Sequence, residues 1–485
     1  MAIRTYGLSG SGMDVDQLVK DMMKAQRTSY DKTWQKKTQI EYKKADYNSM
    51  YTTLRDFRNN AVFNNKLQST VMPKKVTAAN ETVVTASANS EAANVSHTIE
   101  VTELASGVTK SSSASITTGD SKDTLSTQFG VSGMIDLKIN DKAISVDSGK
   151  SIYELVSAIN NADAGVKANY DATLDRFFLY SKNTGAEAKI DFTGTSEAGN
   201  SFLTDKLKLT TEKVSGKDSE FTLDGVPLTQ SSNNFTISGV TYNLKTKGTS
   251  NVSVSADNDK AIANVKAFVE AYNTTLNTLN TKLKETKYSD YLPLTTEQKT
   301  DMKDTEITEW EKRAKSGLLR RDPILQDAVY KMRNDAVTPV SGISGSYTSL
   351  ASIGVTTGDY SEGGKLYLDE TKLKQALEAD PDAVSKILST AGDTREKQGV
   401  AVRLYDTLKS AMDKITAEAG FSGTVEDDSK SALAKRIISY NKELTRMNDR
   451  LGDIEKRYYK QFDAMEAALS KMSQQSSWLS QQLGQ

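Results

Sequence analysis

The sequence predicts an α+β multidomain chain: a helical domain built from both chain ends, a β-rich domain carrying an inserted small α/β module, and mobile helical termini. Three observations predict it. No proline occurs before Pro73, and the opening residues carry a helical apolar stripe. Residues 76–254 shift to Ser, Thr, Asn, Val and Gly, with two-residue alternation. The chain closes on apolar residues at heptad spacing.

The first segment opens with a flexible lead at Gly7, Gly10 and Gly12. Asp14 stands three residues before Gln17, as in a capping box, and Met13 can staple onto Leu18. Leu18, Val19, Met22 and Met23 begin a stripe that thins through Tyr30 and Trp34. It resumes at Tyr47, Met50, Leu54, Phe57 and Ala61, so a long, partly interrupted helix is expected over 14–61.

In the middle, Val95, His97, Ile99 and Val101 share one face of a strand, and Ser96, Thr98, Glu100 and Thr102 share the other. Asp224-Gly225 lies between Phe221–Leu223 and Val226–Leu228. Ser238-Gly239 lies between Phe235–Ile237 and Val240–Tyr242. Both read as hairpins. Between these β stretches Ile135, Leu137, Ile139, Ile144 and Val146 alternate. Ser151 with Glu154 caps a short helix carrying Ile152, Leu155 and Ile159, and strands follow at 166–170 and 177–180.

The third segment is helical again. Ile262, Val265, Val269, Tyr272, Leu276, Leu279 and Leu283 follow 3–4 spacing. Asp322-Pro323 and Asp380-Pro381 each read as an N-cap before a first-turn proline. Leu366 to Leu368 reads as a short strand, and Gly420 and Gly423 set off the last helix. There Leu433, Ile437, Tyr440, Leu444, Met447, Leu451, Ile454 and Tyr458 alternate in steps of four and three. The phase slips at Phe462 and resumes through Met465, Leu469 and Met472. Such a stripe is completed either by the chain's own N-terminal helix or by other subunits. An isolated helix cannot bury it, so both ends are expected to be labile until partnered. The boundaries expected are 1–75 for the N-terminal segment, 76–124 and 216–256 for the two parts of the β-rich domain, and 125–215 for the module. The helical domain takes 257–430 and the heptad helix 431–485.

Little chemistry is visible. Cysteine is absent, which excludes disulfides, thiol nucleophiles and Cys-based metal sites. The single histidine, His97, is in phase with a strand's apolar face and reads as half-buried structure. Basic and acidic side chains number 62 and 63, a net charge of −1, which argues against a nucleic-acid surface. Asp427-Asp428 lacks the ligand pattern of a calcium loop and reads as a solvated turn. No Lys follows the early glycines at the spacing of a phosphate loop, and Lys36-Lys37 and Lys43-Lys44 are isolated pairs. The longest apolar run, 177–180, is far short of the roughly 20 residues of a membrane span. Arg4 is followed by no apolar h-region, so no cleaved signal is expected. No cofactor, metal or catalytic residue is nominated.

The run from Gly7 through Asp14 to Arg27 resembles the start of the flagellar filament cap family, also called hook-associated protein 2. Gln26 stands where that family often has an acidic residue. Residues 293–299 and 310–320, then 350–355, 364–369 and 380–388, resemble it in the same order. The unit around 151–160 resembles a module shared by flagellins and hook-associated proteins.

The resemblance implies a structural protein, not an enzyme. It implies a ring-shaped homo-oligomer, a pentamer or similar small ring, at the distal filament tip, with β-rich heads and helical legs. It implies secretion by the flagellar type III export apparatus without a cleaved signal. Flagellin, hook–filament junction proteins and an export chaperone at the C-terminal region are the implied partners, with no nucleic acid or membrane. Leu18 and Met22, with the heptad positions from Leu433 to Met472, are the candidate assembly seam. Another axial flagellar component or a surface adhesin is the structural alternative. A hydrolase using two carboxylates is the enzymatic one, and no pair is nominated for it.

Overall fold

The computed structural model describes residues 14–420 and 428–483. The glycine lead, the Met13 staple, Gly423 and Asp427 lie outside the described residues. The architecture is α+β and multidomain. One compact unit comprises 1–71 with 261–485, and the other comprises 72–260.

In the helical unit, α1 spans Val15–Asp56. Asp14 accepts from the Gln17 N–H at 3.0 Å, but the Gln17 amide turns to Asp21 at 3.1 Å, so only half of the capping box forms. The helix is continuous, which corrects the expected interruption. Its buried face at the thin stretch is polar, with Thr33, Gln35 and Thr38. Gln35 Nε2 donates to the Pro293 carbonyl at 3.0 Å, so apolar periodicity fades while the helix persists. A π turn, Phe57–Val62, then inserts a five-residue step that keeps both its end residues buried.

Further helices are α2 (Asn258–Lys284), α3 (Asp304–Lys315), α4 (Pro323–Val337), α5 (Val400–Ala419) and α6 (Ala432–Leu483). Helix α1 packs along α6 and α5, and α4 packs on α5. Asp322 caps α4 by accepting from Ile324 N and Leu325 N at 3.1 and 3.2 Å, with Pro323 in the first turn. The second Asp-Pro pair does not start a helix. Asp380 accepts from Asp382 N at 3.1 Å and from Lys386 Nζ at 2.7 Å, closing a turn that delays the next helix to Ala383–Leu388. The short strand Leu366–Leu368 forms, paired with Val355–Thr357.

The core of the other unit outside the inserted module lies between two antiparallel sheets. One runs in the order Lys74–Ala78, Gly248–Ala256, Ser96–Glu103, Ser219–Leu223, Val226–Gln230. The second runs Asn234–Ile237, Val240–Leu244, Val84–Ala88. They share a core that includes Val84, Ile99, Val101, Phe221 and Tyr242. Both expected hairpins form. Asp224 and Gly225 have φ of 51° and 81°, and Ser238 and Gly239 have 49° and 80°, the left-handed pair of a type I′ turn.

The inserted module has a separate core, in which Leu137, Leu155, Phe177 and Leu179 are buried. Ser151 and Glu154 complete a capping box at the start of helix Ile152–Asn161. The module reaches upstream of residue 125, because Thr109–Ser111 pairs with Arg176–Ser181. Its ends meet where Ser106 and Lys217 exchange backbone hydrogen bonds at 2.9 and 3.1 Å. Replacing 107–216 with a short Gly-Ser linker is therefore expected to leave the two-sheet core folded. Retained cooperative melting of the shortened protein, followed by near-UV circular dichroism, checks this. Loss of all cooperativity would contradict it.

Candidate assembly interface

The two longest helices, α1 and α6, lie side by side in the helical unit and run antiparallel. Near one end, Lys44 Nζ donates to Asp428 Oδ2 at 2.8 Å, just ahead of α6. Near the other, Tyr459 OH donates to Asp16 Oδ1 at 3.0 Å. Gln26 Nε2 also donates to Tyr458 OH at 3.2 Å.

Asp428 corrects the solvated turn expected at this position. Its carboxylate also accepts from Ser431 N and Oγ at 3.1 and 2.7 Å, and Ser431 Oγ in turn accepts from Ala434 N at 3.2 Å. The aspartate thus organises the start of α6 while it pairs with a lysine buried on α1. Burial pushes its pKa up, but the bonds from Lys44 and Ser431 outweigh that and hold it down at about 2. Lys44 is accordingly no isolated surface charge.

Other polar bonds fix α1 elsewhere in its unit. Tyr42 OH donates to Glu311 Oε2 at 2.7 Å, Lys282 Nζ donates to Asp46 at 2.8 Å, and Tyr47 OH bonds Asp322. Burial and the neighbouring carboxylate push both tyrosine phenols up. A phenol that stays protonated across the working range remains a donor, so these bonds hold.

The proposed seam residues fall into three groups along α6. Leu433, Ile437 and Leu444 are buried. Tyr440, Met447, Leu451, Ile454, Tyr458 and Phe462 are half-buried. Met465 and Leu469 are 38% exposed, and Met472 is 64% exposed. The stripe is thus covered at its start and open toward its end. Leu18 and Met22 are each 40% exposed, while Val19 beside Leu18 is buried.

A polar groove of about 600 Å³ lies between α1 and α6, with Lys20, Arg27, Leu451 and Glu455 among its lining. Sequence reading passed over Trp478 and Leu479, which are 58% and 51% exposed farther along α6. Extending the heptad count beyond Met472 would have found Leu479.

His97 Nδ1 lies 2.6 Å from Asp224 Oδ2, tying a strand to a hairpin turn. Among the described residues no group of three or more His, Asp or Glu is placed to hold a metal ion. No described helix is long and apolar enough to cross a membrane.

Comparison with known proteins gives consistent matches. The family model described as flagellar hook-associated protein 2 C-terminus matches residues 216–474, and that for the N-terminus matches 11–107. The flagellin hook IN motif matches 135–183, within the module. A flagellar hook-associated protein 2 from Halalkalibacterium halodurans is 29% identical, over 97% of this chain and 98% of that protein. One from Thermotoga maritima is 30% identical, over 73% of this chain and 55% of that protein. The crystal structure of the D1-D2-D3 domains of the flagellar cap protein from Escherichia coli aligns with a TM-score of 0.55. It is 22% identical and covers 82% of this chain and 99% of that one, a likeness of fold.

Proposed function

The chain belongs to the flagellar hook-associated protein 2 family, and from that premise we propose that it caps the distal tip of the filament as a ring-shaped homo-oligomer. The ring retains exported flagellin and promotes its folding and insertion. The observation that carries this reading is the match of the family models at both ends of the chain, with the hook IN motif between them. The same matches favour a cap over another axial component or an adhesin.

The geometry supplies a physical reason for assembly. Met465, Leu469, Met472, Trp478 and Leu479 leave apolar side chains in water along one helix. Burying such a side chain contributes about 1.5–3 kcal/mol, so a partner surface is favoured. Flagellin and hook–filament junction proteins are the proposed neighbours in the filament. The flagellar type III apparatus and a chaperone that binds the C-terminal region are the proposed export partners. The role requires no catalytic step.

An in-frame deletion of the gene in its own organism tests this. Flagellin is expected to accumulate in the culture medium, filaments to be missing or short, and swimming to be lost. Re-expression of the full chain is expected to restore all three. Filaments of normal length in the deletion strain would overturn the reading.

A further inference from the structure

An edge strand leaves one row of its backbone N–H and C=O groups unpaired, which invites a strand from another chain. In the five-stranded sheet the edges are Lys74–Ala78 and Val226–Gln230. The first begins with Lys74 and Lys75, whose charge discourages a neighbour. The second, Val-Pro-Leu-Thr-Gln, carries no charge at all. It also borders the apolar core. Val226 is 57% exposed, and Leu228 is half-buried against the two-sheet core. A strand laid along this edge would cover both, so the side chains favour addition.

The hairpin fixes which backbone groups face the open side. Asp224 and Gly225 form a two-residue turn, so Leu223 and Val226 exchange backbone bonds across it. Phe221 and Leu228 form the next bonded pair. Thr222 with Pro227, and Glu220 with Thr229, are the pairs between, whose N–H and C=O groups point away from each other. Thr222 and Glu220 face the strand Ser96–Glu103, with which they pair. Pro227 and Thr229 face the open edge, and neither has a further backbone partner there among the described residues. Proline therefore occupies one of the outward positions, where it costs the hairpin no bond. Its ring also holds Val226 extended, as the strand requires.

We infer that Pro227 keeps this edge closed, so that the strand Val226–Gln230 does not pair with the same strand of a second copy. Antiparallel pairing of two such edges about Leu228 sets Pro227 of one opposite Thr229 of the other. Each Thr229 N–H then still reaches a Pro227 carbonyl. Each Thr229 carbonyl meets a proline nitrogen that has no hydrogen, so half of the inter-strand bonds are lost. The ring carbons fill the space where that hydrogen would lie and hold the strands apart.

Full-length wild type and Pro227→Thr are compared by light scattering over a concentration series, with amide hydrogen exchange read residue by residue. Wild type sets the baseline for association through any other surface. Its Thr229 amide is expected to exchange fast, in contrast to the Leu228 amide bonded within the hairpin. Pro227→Thr restores the outward N–H and is expected to associate about tenfold more tightly than wild type. Its Thr229 amide is expected to slow about tenfold as the concentration rises. Adding Thr229→Pro returns a proline to the edge without touching the hairpin's own bonds, and is expected to restore wild-type behaviour.

Association of Pro227→Thr equal to wild type would overturn the inference. So would association that persists unchanged in the double variant, because the restored N–H would not be its cause. A protected Thr229 amide in wild type would overturn it as well, since the edge would already be covered.

Discussion

Asp428→Ala is expected to destabilise the helical unit by about 3–5 kcal/mol, the range found when one partner of a buried ion pair is removed. Lys44 is left 5% exposed without its anion, and the start of α6 loses the carboxylate that accepts from Ser431. Replacing both partners, Lys44→Met with Asp428→Ala, is expected to recover much of the loss, because the uncompensated charge is gone. The effect depends on pH with a definite sign. The folded carboxyl titrates at about 2, below its ordinary value of 3.8. Its stabilisation is therefore present in full above about pH 4 and is lost as pH falls through about 2. Denaturant titrations of wild type and Asp428→Ala, followed by helical circular dichroism, check this. The gap between the proteins is expected to be wide near neutrality and to close toward pH 2. A gap below about 1 kcal/mol at neutral pH would contradict the buried-pair account.

Phe57→Ala is expected to cost about 3–5 kcal/mol by opening a cavity at the π turn. The Phe57 ring is buried, 6.3 Å from Phe268 and 6.2 Å from Tyr272, the latter edge-on at 69°. All three belong to the helical unit, and α1 is joined to α2 through them. Phe57→Leu keeps most of the volume and is expected to cost about half as much or less. The same titrations decide it, and equal losses for the two variants would mean that ring packing is not what matters.

Local features were legible in the sequence. Asp224-Gly225 and Ser238-Gly239 force positive φ at two adjacent residues, so the hairpins follow from the backbone alone. Ser151 and Glu154 bond each other across one helical turn, so their box needs no distant partner. The heptad of α6 is likewise written in its own spacing. Contacts between distant residues were not legible. Lys44 and Asp428 are far apart in sequence, and nothing near either one signals the other. The Gln35–Pro293 bond is of the same kind, and it explains how α1 stays helical where its apolar stripe fades. Asp380-Pro381 carries the same dipeptide as Asp322-Pro323, but Asp380 is taken up by Lys386 where Asp322 bonds Tyr47 and two backbone N–H groups of its helix. Gly399 gives α5 no side-chain cap to announce its start.

The Ser106–Lys217 pairing makes the module a graftable position. Chain enters and leaves it through one rung of a ladder, so the two-sheet core sees its ends as a closed turn. A foreign domain whose termini lie about 5 Å apart could be spliced there without restraining the strands on either side. Its cargo would be carried by the β-rich part of the chain, while the helices with the apolar stripes stay as they are. The site is a natural place to display an epitope or an enzyme on this scaffold.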